Sequence, residues 1–162
     1  MKPCKAYLIN SKDRTITEIT YTPDKDSLGA LIGCDLICTG ATTNVGDTLF
    51  IDDEGLLKPQ QYFFRWKPRS DSQPYAGNGI WVGREVETGR GYYTEDPTPT
   101  IEQLSQLIEF LSVDDAKRWA ATHWNEPATT ITTSRGTTVI SRVSDVWSNT
   151  FKDDDDDKPI SQ

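Results

Sequence analysis

The chain has 162 residues, 35% of them hydrophobic, with a mean hydropathy of −0.59 and a net charge of −8. That length suits one domain with a core that needs no disulfide or metal staple, and 5 Trp, 6 Tyr and 5 Phe supply large side chains for it. Residues 152–158 hold five Asp and two Lys, so the rest of the chain carries −5, a balance that argues against general binding to phosphate backbones or docking on anionic membranes.

Lys5-Ala-Tyr-Leu-Ile9 and Thr15-Ile-Thr-Glu-Ile-Thr-Tyr21 are predicted strands, joined into a hairpin by the polar turn 10–14. Asp26 and Ser27 can cap a short helix carrying Leu28, Leu31 and Ile32, which Gly33 closes. Strands are expected at Asp35–Thr39 and Thr48–Ile51, separated by Asn44-Val-Gly-Asp47. Asp52-Asp-Glu-Gly55 is a turn, and Gln61–Trp66 is a β-prone aromatic run. Residues 67–79 are expected to form a loop, and Gly79–Gly83 a short buried strand.

Pro97 and Pro99 keep the next segment extended. Thr100 and Gln103 then form a capping box, and Ile101, Leu104, Leu107, Ile108 and Leu111 recur at helical spacing. Ser112 and Asp115 can cap a second helix that turns Ala116, Trp119, Ala120 and Trp124 inward, ending at Pro127. Thr129–Thr133 and Thr137–Val143 predict a Thr-rich hairpin around Ser134-Arg135-Gly136. The acidic tail, 152–162, is expected to be disordered. It contains Asp-Asp-Asp-Asp-Lys, which resembles an epitope tag or protease site, although a native acidic tail is the plainer reading. The expected fold is α+β, a mainly antiparallel sheet with one or two helices on one face and a C-terminal hairpin extension. The expected division is 1–111, 112–151 and 152–162.

Several segments resemble a domain-of-unknown-function family of phages and bacteria, over about residues 5–111. They are Lys5–Ile9 with Thr15–Ile19, Leu31-Ile-Gly-Cys34, Gly46-Asp-Thr-Leu-Phe-Ile-Asp-Asp-Glu-Gly-Leu56, Ala76-Gly-Asn-Gly-Ile-Trp-Val-Gly83, and Pro99–Leu104 with Phe110. The resemblance implies a phage or mobile-element protein acting inside a bacterial cell, and it implies no reaction.

Six functional readings compete with architectural explanations of the same residues. Cys4, Cys34, Cys38 and His123 match a zinc set by count, but a strand would hold positions 34 and 38 roughly 13 Å apart, so buried thiols are expected and no metal. Asp52, Asp53 and Glu54 could divide acid and base roles, but a polar turn ending in Gly55 explains them too. A single histidine with no evident partner leaves no Ser-His or Cys-His scheme. Gly77, Asn78 and Gly79, with Trp81 and Arg65, form a candidate small-ligand loop, although the glycine spacing is not that of a dinucleotide fingerprint. Phe63, Arg65 and Lys67 on one strand face resemble a base-stacking platform, which the acidic balance disfavours. DNA mimicry would need denser carboxylates than 25 Asp and Glu against 17 Lys and Arg.

The expectation is therefore a non-enzymatic, cytoplasmic binding or regulatory module acting on a host protein, with Asp52, Asp53, Glu54 and Arg135 as a candidate contact surface. A nucleotide or other small-molecule sequestering protein is the alternative, and an enzyme built on Asp52–Glu54 the third reading. No cofactor is implied, and Met1–Lys5 carries no apolar signal segment.

Overall fold

The computed structural model describes residues 1–59, 62–69, 72–123, 129–133 and 136–140, with side chains described as far as 123. It is an α+β fold built mainly from antiparallel strands. Strands β1 (Cys4–Asn10) and β2 (Thr15–Tyr21) form the expected hairpin. In its turn the Asn10 Oδ1 accepts from the Asp13 amide at 3.0 Å, and Arg14 sits at φ 55°. A left-handed conformation costs a side-chain-bearing residue about 1–2 kcal/mol, so the rest of the hairpin holds it there.

Helix α1 (Leu28–Ile32) starts at Ser27, whose Oγ accepts from the Ala30 amide, and stops at Gly33 with φ 89°. Both ends follow the local chemistry of the sequence. Strands β3 (Ile37–Thr42) and β4 (Thr48–Asp52) pair with a register shift between Thr39 and Ala41. A short 3-10 turn, Gly55–Leu57, leads to β5 (Phe63–Trp66) and the two-residue β6 (Tyr75–Ala76), inside the expected loop. Strand β7 (Gly79–Val82) is buried at every position. Next comes a hairpin of β8 (Glu85–Thr88) and β9 (Gly91–Thr94).

Helix α2 (Ile101–Leu107) opens on the full Thr100/Gln103 capping box, but it ends four residues earlier than the apolar stripe predicts. Ile108–Leu111 instead form β10, pairing antiparallel with Phe63–Trp66. The run Ile-Glu-Phe-Leu fits either period. An aromatic strand waiting to be paired decides for extension. Helix α3 (Val113–His123) begins after Ser112, whose Oγ accepts from the Asp115 amide at 3.1 Å. Strands β11 (Thr129–Thr133) and β12 (Gly136–Ile140) pair antiparallel. Trp124, Arg135 and the tail 152–162 lie outside the described residues.

A five-stranded sheet runs β2-β1-β7-β4-β3, and a three-stranded sheet runs β10-β5-β6. The pleat sorts the large sheet into two apolar faces. Cys4, Ala6, Ile80 and Val82 pack with Ile32 of α1 on one face. Tyr7, Ile9, Leu49 and Trp81 meet Phe64, Trp66, Leu104 and Ile108 on the other. The helices therefore do not share one face: α1 and α2 lie on opposite sides, because β1, β4 and β7 are apolar on both. The small sheet forms a third layer, with Phe63 beneath Ala116 and Ala120 of α3. Phe63 and Phe64 are both fully buried, which contributes roughly 2–3 kcal/mol each. Burial of Phe63 also corrects the stacking-platform reading, since its ring is covered by α3.

Candidate functional site: a tryptophan-floored cleft

Asp47, in the connection from β3 to β4, is 1% exposed. Its Oδ2 accepts from the Trp81 indole Nε1 at 3.2 Å and from the Thr98 backbone amide at 2.8 Å, and its Oδ1 accepts from Thr98 Oγ1 at 3.1 Å. A buried carboxylate needs such partners. Its own amide donates to Thr43 Oγ1 at 3.1 Å, and the Thr43 amide returns a bond to the Asp47 carbonyl at 2.9 Å. Gly46, at φ 96°, makes the tight reversal possible; a Cβ there would lie 2.8 Å from Arg84 Cγ.

Through Thr98, Asp47 holds the strap formed by residues 95–99. Two further bonds fix that strap to β1 of the large sheet, and an ion pair ties its start to the residue before β8. Tyr7 Oη donates to the Pro99 carbonyl at 2.9 Å, the Lys5 amide donates to Asp96 Oδ1 at 2.8 Å, and Arg84 pairs with Glu95 at 3.0 Å. The strap runs directly into the Thr100 cap of α2.

Between strap, helix and sheet lies a cleft of about 410 Å³. Its floor is Trp66 of β5 and Trp81 of β7, with ring centroids 4.9 Å apart and planes inclined by 30°. Thr98 and Pro99 form one wall, Gln103, Gln106 and Leu107 of α2 another, and Thr43 with the exposed Val45 the rim. Among the described residues Asp47 is the single charged residue of the lining, and its oxygens are engaged in holding Trp81 and Thr98. The lining can therefore receive an uncharged, mainly apolar group, with amide and hydroxyl groups at the edge to orient it.

Among the described residues, those singled out from sequence are dispersed, and only Trp81 of them reaches the cleft. The Gly77 carbonyl accepts from the Ser11 hydroxyl, Asn78 Oδ1 accepts from the Ser11 amide at 3.1 Å, and the Gly77 amide donates to the Tyr62 carbonyl at 3.1 Å. Gly79 lies in the core, where a Cβ would come 2.6 Å from Phe64 Cζ. Arg65 pairs with Glu109 of the adjoining strand at 3.0 Å.

Asp52 is buried; its Oδ2 meets Lys58 Nζ at 2.8 Å and its Oδ1 accepts from the Glu54 amide at 3.0 Å. That pairing holds the Lys58 ammonium above its ordinary range. Asp53 is exposed, and Glu54 is half-buried at the start of the 3-10 turn. His123 is exposed and stacks on Trp119, with centroids 4.2 Å apart.

The cysteines are free thiols. Cys4 Sγ meets the Tyr21 carbonyl and Cys34 Sγ the Leu36 carbonyl. Among the described residues no three His, Cys, Asp or Glu side chains gather as a metal cage. Burial raises the Cys38 thiol to about 11, helped by its hydrogen bond with Asp53 and by the nearby carboxylates. A raised value means less thiolate at a given pH. At pH 8, alkylation of Cys38 by iodoacetamide should run about a hundredfold slower than that of an unshifted thiol. Peptide mapping against time would measure it, and labelling as fast as a free thiol would refute the burial argument.

Comparison with protein-family models, curated proteins and solved structures returned no match to this chain. Among the described residues no helix is long and apolar enough to cross a membrane.

Proposed function

We propose that the protein is a non-enzymatic binding module whose cleft receives an uncharged apolar group of its ligand, such as an aromatic or aliphatic side chain of a protein. The observation that carries this reading is the Trp66–Trp81 floor under an uncharged rim, with the one carboxylate of the lining tied up in structure. Paired aromatic rings at the bottom of a preformed recess are the usual anchor sites of protein recognition. Among the described residues the lining offers no lysine or arginine to phosphate groups, which weighs against a nucleotide there. Under the resemblance to phage and bacterial domains, the partner would be a host protein in the cytoplasm. The Thr-rich strands β11 and β12 are then an extension beyond the resembling segment.

Indole titrated into isotope-labelled protein tests the cleft. The expected result is shift changes at the Trp81 indole proton and at Leu107, with Leu107→Glu weakening binding at least tenfold, since a carboxylate would need water where the ligand lies. Equal binding to Leu107→Glu, or shifts confined to other surfaces, would remove the reading.

A further inference from the structure

The β8–β9 hairpin projects residues that the core does not use. Of its eight strand residues, Val86 and Thr94 are half-buried and the other six exposed. Tyr92 is 51% and Tyr93 40% exposed. A lone two-stranded hairpin is marginal in water, yet this one is fixed at both ends. At the tip, Thr88 Oγ1 donates to the Gly91 carbonyl at 2.9 Å and accepts from the Arg90 amide at 3.3 Å. At the base, Arg84 Nε and a terminal guanidinium nitrogen both reach Glu95 Oε2, and the Glu95 amide donates to the Arg84 carbonyl at 2.9 Å. Gly83 adds a close approach: a Cβ there would lie 2.2 Å from the Glu95 carbonyl oxygen.

The register decides what one face presents. Glu87 stands opposite Tyr92, and Glu85 opposite Thr94. Because side chains alternate, Glu85, Glu87 and Tyr92 share a face, with an exposed phenol ring flanked by two exposed carboxylates. Arg84 is committed to Glu95 at the base, so it does not neutralise this face.

We propose that this face is a docking surface for an arginine-bearing segment of a protein partner. A guanidinium can stack on the Tyr92 ring while its fork bonds the Glu87 carboxylate, and Glu85 is two residues away for a second cation. Because the hairpin is already ordered, binding does not pay to order it. Charge selects among occupants. Phosphate backbones would meet carboxylates, and a second copy of this chain would set Glu85 and Glu87 against their own equivalents. The net charge of −8 steers cations to the protein as a whole. The proposal rests on the reading of the chain as a binding module and adds a second contact surface to it.

The test is titration of the labelled full chain with the synthetic peptide Gly-Arg-Gly-Arg-Gly-Arg-Gly, followed by amide shifts. Perturbation centred on residues 84–95 is expected. Tyr92→Ala and Glu87→Gln should each weaken binding roughly fivefold or more, while Asp35→Asn, an equal charge change at another exposed site, should leave it within about twofold. Shifts spread over the whole acidic surface, equal weakening by Asp35→Asn, or no shift in 84–95 at millimolar peptide would overturn the proposal. So would dimerisation, or binding of duplex DNA, that Tyr92→Ala abolishes. Peptide shifts confined to the Trp81 cleft would overturn the hairpin proposal, while the indole titration decides the cleft reading separately. Absence of indole binding with hairpin binding intact would overturn the cleft reading and leave the hairpin proposal standing.

Discussion

Asp47→Ala should lower the unfolding free energy by about 3 kcal/mol and abolish indole binding in the cleft. The substitution removes the acceptor for the Trp81 indole and for both the amide and hydroxyl of Thr98. The Trp81 indole is buried where water does not replace the lost oxygen well, an orphan that costs about 1–3 kcal/mol, and the two partly exposed Thr98 donors each lose a charge-assisted bond. The strap then keeps its ties from Tyr7 and Lys5 but loses the bond beside the cleft, so one wall loosens. Asp47→Asn separates shape from charge. Its carbonyl can sit where Oδ2 sits, and its amide can donate to Thr98 Oγ1 if that hydroxyl turns to accept. It should cost only about 1 kcal/mol, the loss of charge assistance. Urea unfolding followed by tryptophan fluorescence measures both. If Asp47→Ala unfolds within about 0.5 kcal/mol of the parent, the strap does not depend on this carboxylate.

Gly79→Ala should cost about 3 kcal/mol, at the upper end for overpacking. Gly79 belongs to the central strand β7, and its missing Cβ is the space into which Phe64 of the small sheet presses. The added methyl would stand 2.6 Å from Phe64 Cζ, 3.2 Å from Leu49 Cδ1 and 3.3 Å from the Phe50 carbonyl. None of these moves freely, because Phe64 and Leu49 are fully buried. The cause can be isolated with a second change. Phe64→Leu removes the clashing atom and alone should cost about 1–2 kcal/mol for the space it leaves. In that background Gly79→Ala should cost only about 1 kcal/mol, since the new methyl partly fills the vacancy. Strict additivity of the two changes would mean that the ring and the glycine do not form one packed unit.

Local chemistry was legible. Ser27 with Gly33, Thr100 with Gln103, and Ser112 with Asp115 place the starts of the three described helices and the end of the first, because a cap is satisfied within four residues. The β1–β2 hairpin and the buried Gly79–Val82 strand follow from composition in the same way. Ile108–Leu111 was not legible, because its period suits a helix and only the pairing with Phe63–Trp66 makes it a strand. Asp47 was missed for a related reason. Asn44-Val-Gly-Asp47 is a turn by every local measure, and the donors that bury its last residue come from positions 34 and 51 residues further on. An aspartate that leads into an apolar strand was the one faint signal. Trp81 was singled out for a glycine loop, whereas its indole serves the opposite end of the strand, beside the strap.

The amino-acid sequence by itself determined the α+β class, the helix caps, the first hairpin and the acidic balance, since each depends on neighbours in the chain or on counting charges. Tertiary structure alone decided that α1 and α2 take opposite faces, that Trp66 and Trp81 meet at 4.9 Å, and that Asp47 is a buried tie. The physical reason is that those features exist only when distant segments exclude water together. A tryptophan becomes a cleft floor, and a turn aspartate a buried anchor, through partners far along the chain that no local pattern encodes.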